Sequence, residues 1–184
     1  HTRKVMKNII SKYDENKNIR CKIYLLHGDM TEQQIHSLYT RDDIHAYVTT
    51  THGEGFGLPL FEAAYSGMPI IATDWSGHLD FLETETREKK KLKTKKLFAA
   101  VEYDLKEISN NVVWEDILIE GSRWAYPRKE SYKKQIRNVF NNYSLYKNRS
   151  KTLKKTILKK FSKESVYEKM SQAIFSKDLE IQKE

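Results

Sequence analysis

The sequence predicts an α/β fold, a parallel sheet with helices on both faces followed by C-terminal helices. Three observations carry this expectation. Apolar runs of strand length recur at 21–26 (CKIYLL), 45–50 (HAYVTT) and 69–73 (PIIAT). Segments of helical character separate them. The joints between them are short, and strands alternating with helices across short joints imply parallel strands with helical crossovers.

Each element has a local reason. Val5, Ile9 and Ile10 give residues 2–12 a helical apolar stripe, which DENKN interrupts. Thr31 with Gln34 three positions on forms a capping box and predicts a helix from about Glu32 to Tyr39. After the strand at 45–50, Pro59 suits the first turn of a helix, where its missing N–H costs nothing. That helix should end near Gly67. The run REKKKLKTKK at 87–96 has seven basic residues and one acid, and is expected to be a basic loop. LFAAVEY at 97–103 reads as a strand, whereas 110–127 is mixed and supports no assignment. From Lys129 onward the pattern is helical over 129–142, 144–160 and 163–176, with Ser162 as a cap. Residues 177–184 read as a frayed tail, so the expected domain is 1–176.

With 184 residues and 39% hydrophobic content the chain can bury a sizeable core. The excess of 33 basic over 25 acidic residues, a net charge of +8, suits a phosphorylated ligand, an anionic membrane or nucleic acid without choosing among them. Cys21 is the single cysteine, which excludes an intramolecular disulfide and favours a reducing compartment such as the cytoplasm. No apolar stretch is long enough to span a bilayer and no secretory pattern opens the chain. It opens instead on a helix already under way, so it reads as part of a longer protein, with the first strand of its domain and any preceding domain absent.

The chemistry concentrates in THGEGFGLPLFEAAYSG, residues 51–67. A loop between a buried parallel strand and a helix lies at the carboxyl end of the sheet, where open α/β folds bind ligands. Glycines at 53, 55 and 57 allow close backbone approach. The helix beginning near Leu58 offers free N–H groups and a positive dipole end, so the amides of Gly55, Phe56, Gly57 and Leu58 are candidates to hold phosphate. Glu62 lies about 6 Å further along that helix axis. A carboxylate there would repel a phosphate, but it can accept two hydrogen bonds from a ribose diol. Glu54, on the other side of the loop, would face whatever hangs beyond the distal phosphate. The layout is that of a nucleotide-sugar site, although glycines in a strand–helix turn also serve structure alone.

The stretch GEGFGLPLFEAAYSGMPIIATDWSGHLDFL resembles the signature of retaining glycosyltransferases of the GT-B fold, with its Glu-Gly-Phe-Gly-Leu-Pro loop and a second Glu eight residues after the first. Residues 45–83 carry the likeness most specifically. The preceding GDMTEQQIHSLYTRDDIHAYVTT, GSRWAYP and the C-terminal KKFSKESVYEKM resemble flanking parts of the same domain. The resemblance implies a Rossmann-like, donor-binding C-terminal half of such an enzyme. Glu62 would hold the ribose hydroxyls, and Glu54 would be the catalytic carboxylate at the donor sugar. The implied reaction moves a hexose from a nucleotide-diphosphate sugar, UDP- or GDP-linked, with retention of configuration and with neither metal nor cofactor. An Arg and a Lys near the first strands of the domain usually stabilise the departing diphosphate. Arg3 and Lys4 are the candidates here, beside the alternative that they are surface charge on the first helix.

Tyr126 departs from the resemblance, standing where relatives often carry Glu. The N-terminal acceptor domain is absent as well, so the isolated half should bind donor and transfer sugar poorly or not at all. The acceptor, a glycan, lipid or protein, would be met through that domain.

Among the remaining residues, His27 and Gly28 follow a predicted strand and form either a plain turn or the edge where a nucleobase rests. His52 precedes the glycine loop and can line the site. His78 lies in the loop after PIIATDW, where it can approach base or sugar, and Asp80 there either approaches the sugar or caps a short helix. No histidine or cysteine shows metal-ligand spacing. The lysine run and Lys154, Lys155, Lys159 and Lys160 form basic patches that are either simply solvated or attracted to anionic lipid. Two other functions compete with the transferase: a non-catalytic nucleotide-sugar-binding partner subunit and a basic nucleic-acid-binding module. The second predicts basic residues interleaved with aromatics along one groove, whereas the lysines here cluster in one run and one terminal helix, so no nucleic acid is expected.

Overall fold

The computed structural model describes residues 1–14, 21–88 and 91–175. The expected frayed tail, 177–184, lies outside the described residues. The chain divides into two compact units, His1–Gln34 and Ile35–Glu184.

In the first unit, helix α1 spans Thr2–Asp14, as its apolar stripe predicts. Residues 21–26 form no strand. Ile23, Tyr24, Leu25 and Leu26 are instead exposed, Tyr24 to 81%. A strand exists only through pairing, and among the described residues no β-ladder includes this segment. The capping box holds: the Gln34 amide donates to Thr31 Oγ1 over 3.2 Å and the Thr31 amide to Gln34 Oε1 over 2.8 Å. It opens helix α2, Glu32–Thr40.

The second unit is built on a three-stranded parallel sheet of β1 (Tyr47–Val48), β2 (Ile70–Thr73) and β5 (Ala99–Val101), in the order β1-β2-β5. Tyr47 pairs with Ile70, and Ile71 with Ala99. Helix α3, Leu58–Tyr65, crosses over from β1 to β2. All four residues of β2 are buried, as expected for a central strand covered on both faces. Alternate side chains serve different layers. Ile70 and Ala72 pack with Leu60, Ala63 and Ala64 of α3 and with Leu153 and Ile157 of α6 (Tyr143–Lys160). Ile71 packs with Val139 of α5 (Lys129–Asn141) and Tyr146 of α6. Helix α7, Lys163–Phe175, follows Ser162, whose Oγ accepts the Ser165 amide at 3.1 Å and so acts as the expected cap.

α3 ends where the sequence indicates. Gly67 takes φ 82°, and the Gly67 and Met68 amides donate back to Ala64 and Ala63, both over 3.0 Å, in a Schellman closure. The Gly67 carbonyl accepts from Ser150 Oγ (2.9 Å) and Lys147 Nζ (3.2 Å), which ties α6 to the end of α3.

Two stretches differ from expectation. The basic run is no loop: β3 (Glu83–Glu88) and β4 (Lys91–Lys96) pair antiparallel directly after the short helix α4 (Leu79–Leu82). The partner segment places Glu83 opposite Lys96, Thr84 opposite Lys95 and Glu85 opposite Thr94, so an acid and a β-branched threonine stand across from lysines. The expected single strand at 97–103 divides into β5 and β6 (Tyr103–Glu107), and β6 pairs antiparallel with β7 (Arg123–Pro127), the tractable end of the mixed segment. Arg128 spans the base of that hairpin, its Nη2 2.6 Å from Asp104 Oδ1. Among the described residues no helix is long and apolar enough to cross a membrane.

Candidate functional site

β1 delivers the chain to the carboxyl edge of the sheet, where the Thr49 amide still donates to Ile71 O over 2.9 Å. Residues 51–57 then turn across the end of β2 and enter α3. Gly57 is the helix N-cap, with φ 82° and ψ 60° in the left-handed region that a side chain disfavours. Among the described residues no side chain caps this end. Pro59 sits in the first turn and brings no N–H, and the first intrahelical bond runs from the Phe61 amide to Gly57 O at 2.9 Å. The amides before it are the unpaired donors that make a helix start attractive to an anion. The Phe56 ring turns inward and meets Phe81 at 5.1 Å and Phe61 at 5.2 Å between centroids, which anchors the loop from below and leaves its backbone on the outer side.

A second loop, after β2, clamps the first. The Ser76 hydroxyl accepts the Glu54 amide and donates to the Glu54 carbonyl, each at 2.6 Å, and the Gly77 amide donates to the same carbonyl at 3.1 Å. Gly77 lies so close that a Cβ on it would stand 1.9 Å from Gly55 O. The sequence reading missed both residues. The available signal was a Ser-Gly pair directly after a buried strand, which is also what an ordinary turn looks like.

Glu54, half-buried, precedes α3 in the chain, and Glu62, exposed, lies within it. Two tyrosines that sequence reasoning passed over accompany them. The Tyr39 phenol is pushed up to about 12, first by burial, then by the charge of the Glu62 carboxylate, with a smaller contribution from Tyr47. The Tyr47 phenol is also raised, by burial first and then by Glu54 and Glu62. Both glutamates thus act electrostatically on one point, the Tyr47 ring on β1. No sequence spacing reveals this, because α2, β1 and α3 meet only after folding.

His52 is bound to β7. Its Nδ1 lies 2.8 Å from Ala125 O, the Ala125 amide donates to His52 O over 3.2 Å, and its ring stacks on Trp124 at 5.0 Å and 9°. Tyr126, the departure from the resemblance, packs its ring 4.6 Å from His52. His78, a candidate for touching base or sugar, is fully enclosed: its Nε2 lies 2.7 Å from Thr73 O and it has no solvent-accessible surface. Gly55 and Leu58 are exposed at the loop surface, Leu58 to 65%. Arg3, Lys4, His27 and Gly28 belong to the first unit, where Arg3 and Lys4 are exposed on α1 and Gly28 takes φ 141°. Among the described residues no group of three or more His, Cys, Asp or Glu gathers as metal ligands.

A cavity of about 580 Å³ lies away from the glycine loop, between α4, the β3–β4 hairpin and α6, lined by Asp80, Glu83, Glu85 and Lys160 among others.

No curated protein and no solved structure matches the chain. The family model of the glycosyl transferases group 1 matches residues 2–100, a span that contains β1, the glycine loop, both glutamates and β2. The match covers more than half of the 184 residues, and the chain belongs to the group 1 glycosyltransferases.

Proposed function

We propose that this chain is the donor-binding half of a retaining, metal-independent hexosyltransferase, and that residues 54–62 hold a nucleotide-diphosphate sugar. The observation that carries the reading is the uncapped start of α3 at left-handed Gly57, flanked by Glu54 and Glu62. In this reading the amides of Gly55, Phe56, Gly57 and Leu58 hold the diphosphate, Glu62 accepts hydrogen bonds from the ribose diol and Glu54 faces the sugar. As the anomeric carbon–oxygen bond breaks, the bonding pair leaves with the diphosphate. Positive charge grows at the anomeric carbon, where the Glu54 carboxylate stabilises it. An acceptor hydroxyl held by another domain then adds on the face the diphosphate left, which gives retention, and its proton is lost to the departing phosphate.

No metal is required in this scheme, because amides and helix dipole supply the positive end, with Arg3 and Lys4 as candidates to add to it. His27 and Gly28 are proposed at the base, and His52 as the wall between loop and β7. Exposed lysines of β4 and α6, Lys95, Lys155 and Lys159 among them, would each add about 1 kcal/mol of attraction at an anionic bilayer, consistent with a cytoplasmic protein peripheral to a membrane.

The test is a thermal-shift titration with UDP, GDP, ADP and their sugar conjugates, run beside Glu62→Ala. A ligand at about 100 times its Kd should stabilise the fold by about 2.7 kcal/mol. One nucleotide shifting the wild type and not the variant would support the site and name the base. No shift from any of them at millimolar concentration would remove the donor-site reading.

A further inference from the structure

We propose that helix α7 is a membrane-docking element, its apolar stripe lying in the plane of an anionic bilayer with the lysines of the α6–α7 junction at the headgroups. The inference stands apart from the donor-site reading and goes beyond the lysine attraction named with it, because it assigns the part that enters the lipid. α7 runs over 13 residues, about 20 Å, and none of them is buried. Val166, Met170 and Ile174 recur at every fourth position, with Tyr167 and Ala173 beside them, in one stripe about 120° wide. That stripe is open: Tyr167 and Met170 are each 60% exposed and Ile174 57%. A contiguous apolar face held in water marks a binding surface.

Charge decides what the stripe meets. Glu164, Glu168 and Gln172 are spaced i, i+4, i+8 on the other side of the helix, where Gln172 Nε2 donates to Glu168 Oε1 over 3.3 Å. The cation is on the apolar side: Lys163 Nζ lies 5.5 Å from the centre of the Tyr167 ring. An ammonium at the edge of an apolar stripe can bury its stem there and keep its charge at a headgroup. Behind it, residues 151–163 carry six lysines and no acid. Lys151, Lys155 and Lys159 among them are exposed. The Ser165 hydroxyl donates to Lys160 O over 3.2 Å, so the start of α7 is fixed to this basic end of α6. An apolar stripe with cations beside it and acids turned away fits a surface that is apolar within and anionic at its edge, as a bilayer with acidic headgroups is. A second copy seated on the same stripe would bring two basic surfaces together.

The experiment measures partition of the full chain onto vesicles of phosphatidylcholine with and without phosphatidylserine. It compares wild type, Met170→Gln/Ile174→Gln and Lys155→Gln/Lys159→Gln. All four side chains are exposed, and circular dichroism checks that the helices remain. A second readout places an environment-sensitive fluorophore on Met170→Cys or on Gln172→Cys, each in a Cys21→Ser background. Docking predicts binding that needs phosphatidylserine. Met170→Gln/Ile174→Gln should weaken it about tenfold or more, and each lysine removed about fivefold. The fluorophore should shift to the blue at position 170 and stay unchanged at position 172. No binding to either vesicle overturns the proposal. So does binding that Met170→Gln/Ile174→Gln retains in full, which would reduce the surface to lysine attraction alone, and so does a fluorophore at position 170 that stays in water. Self-association of the wild type, lost in the same variant and unmatched by vesicle binding, would assign the stripe to a second copy and overturn the membrane assignment. The nucleotide titration reads a different site, so its failure leaves this result standing, and the reverse holds too.

Discussion

The glycine loop with its clamp, residues 51–57 and 74–78, and the hairpins that follow, β3–β4 and β6–β7, are stabilised by different means. The loop is held through its own backbone groups: the Ser76 hydroxyl and the Gly77 amide engage the amide and carbonyl of Glu54, and Gly77 leaves no space for a methyl group against Gly55. The hairpins lean on charged side chains, with Arg128 on Asp104 and Glu102, and Lys96 on Glu83 and Asp74. Neutral hydrogen bonds and close backbone packing respond little to salt and pH, and the packing leaves no room for added atoms. Exposed charge pairs tolerate substitution and respond to both. A site that must present fixed amides to a ligand benefits from the first kind of support, while an outlying ribbon can use the second.

The largest effect that would test this contrast is Gly77→Ala. A Cβ 1.9 Å from Gly55 O cannot be accommodated by rotating a side chain, because the obstacle is backbone. The expected outcome is destabilisation of about 3 kcal/mol or more, read as a lower urea midpoint, with loss of nucleotide binding. A variant of wild-type stability would show the two loops to be less firmly joined than the contact implies.

Ser76→Ala comes next. It removes both bonds to Glu54 while leaving residue 76 at φ 86°, and should cost about 1–2 kcal/mol by chemical denaturation. Ser76→Gly should cost less, since glycine relieves the positive φ that serine bears. If the two variants are equally destabilised, strain at position 76 contributes nothing.

The smallest effect belongs to β6–β7. The Arg128 guanidinium holds the Asp104 carboxyl below its usual value. A depressed folded pKa contributes stability that is present above the unfolded value, about 3.9, and is lost as pH falls through the folded value. Acid titration of Asp104→Asn beside wild type should therefore show the two converging below pH of about 4, and the difference at neutral pH should shrink in about 1 M salt. A difference unchanged by acid or salt would assign the hairpin's stability to packing instead.

How legible the molecule was depended on the range of the interaction involved. Thr31 and Gln34, Gly57, Pro59, Gly67 and Ser162 act within a few residues of themselves, and each does in the structure what its position implied. The run at 87–96 was misleading because its partner is another segment, and a lysine-rich strand reads as a loop until the acids opposite are known. The apolar run at 21–26 was misleading in the opposite sense, since its composition suits a strand but no ladder takes it up. At the site, the glycine loop and both glutamates were visible. Tyr39, Tyr47, Ser76 and Gly77 were not, and the burial of His78, read as able to approach base or sugar, was not visible either.

The amino-acid sequence by itself determined the parallel sheet, the turn into α3, the helix caps and the placing of two carboxylates about a helix start. The turn, the caps and the carboxylates follow from local steric and hydrogen-bonding rules, and the sheet from strands alternating with helices across short joints. Only the tertiary structure decided which groups surround those carboxylates, which loop clamps the glycines and which charged strands pair. Those choices join residues from distant parts of the chain, and their distances are set by how helices and strands pack once the core has formed.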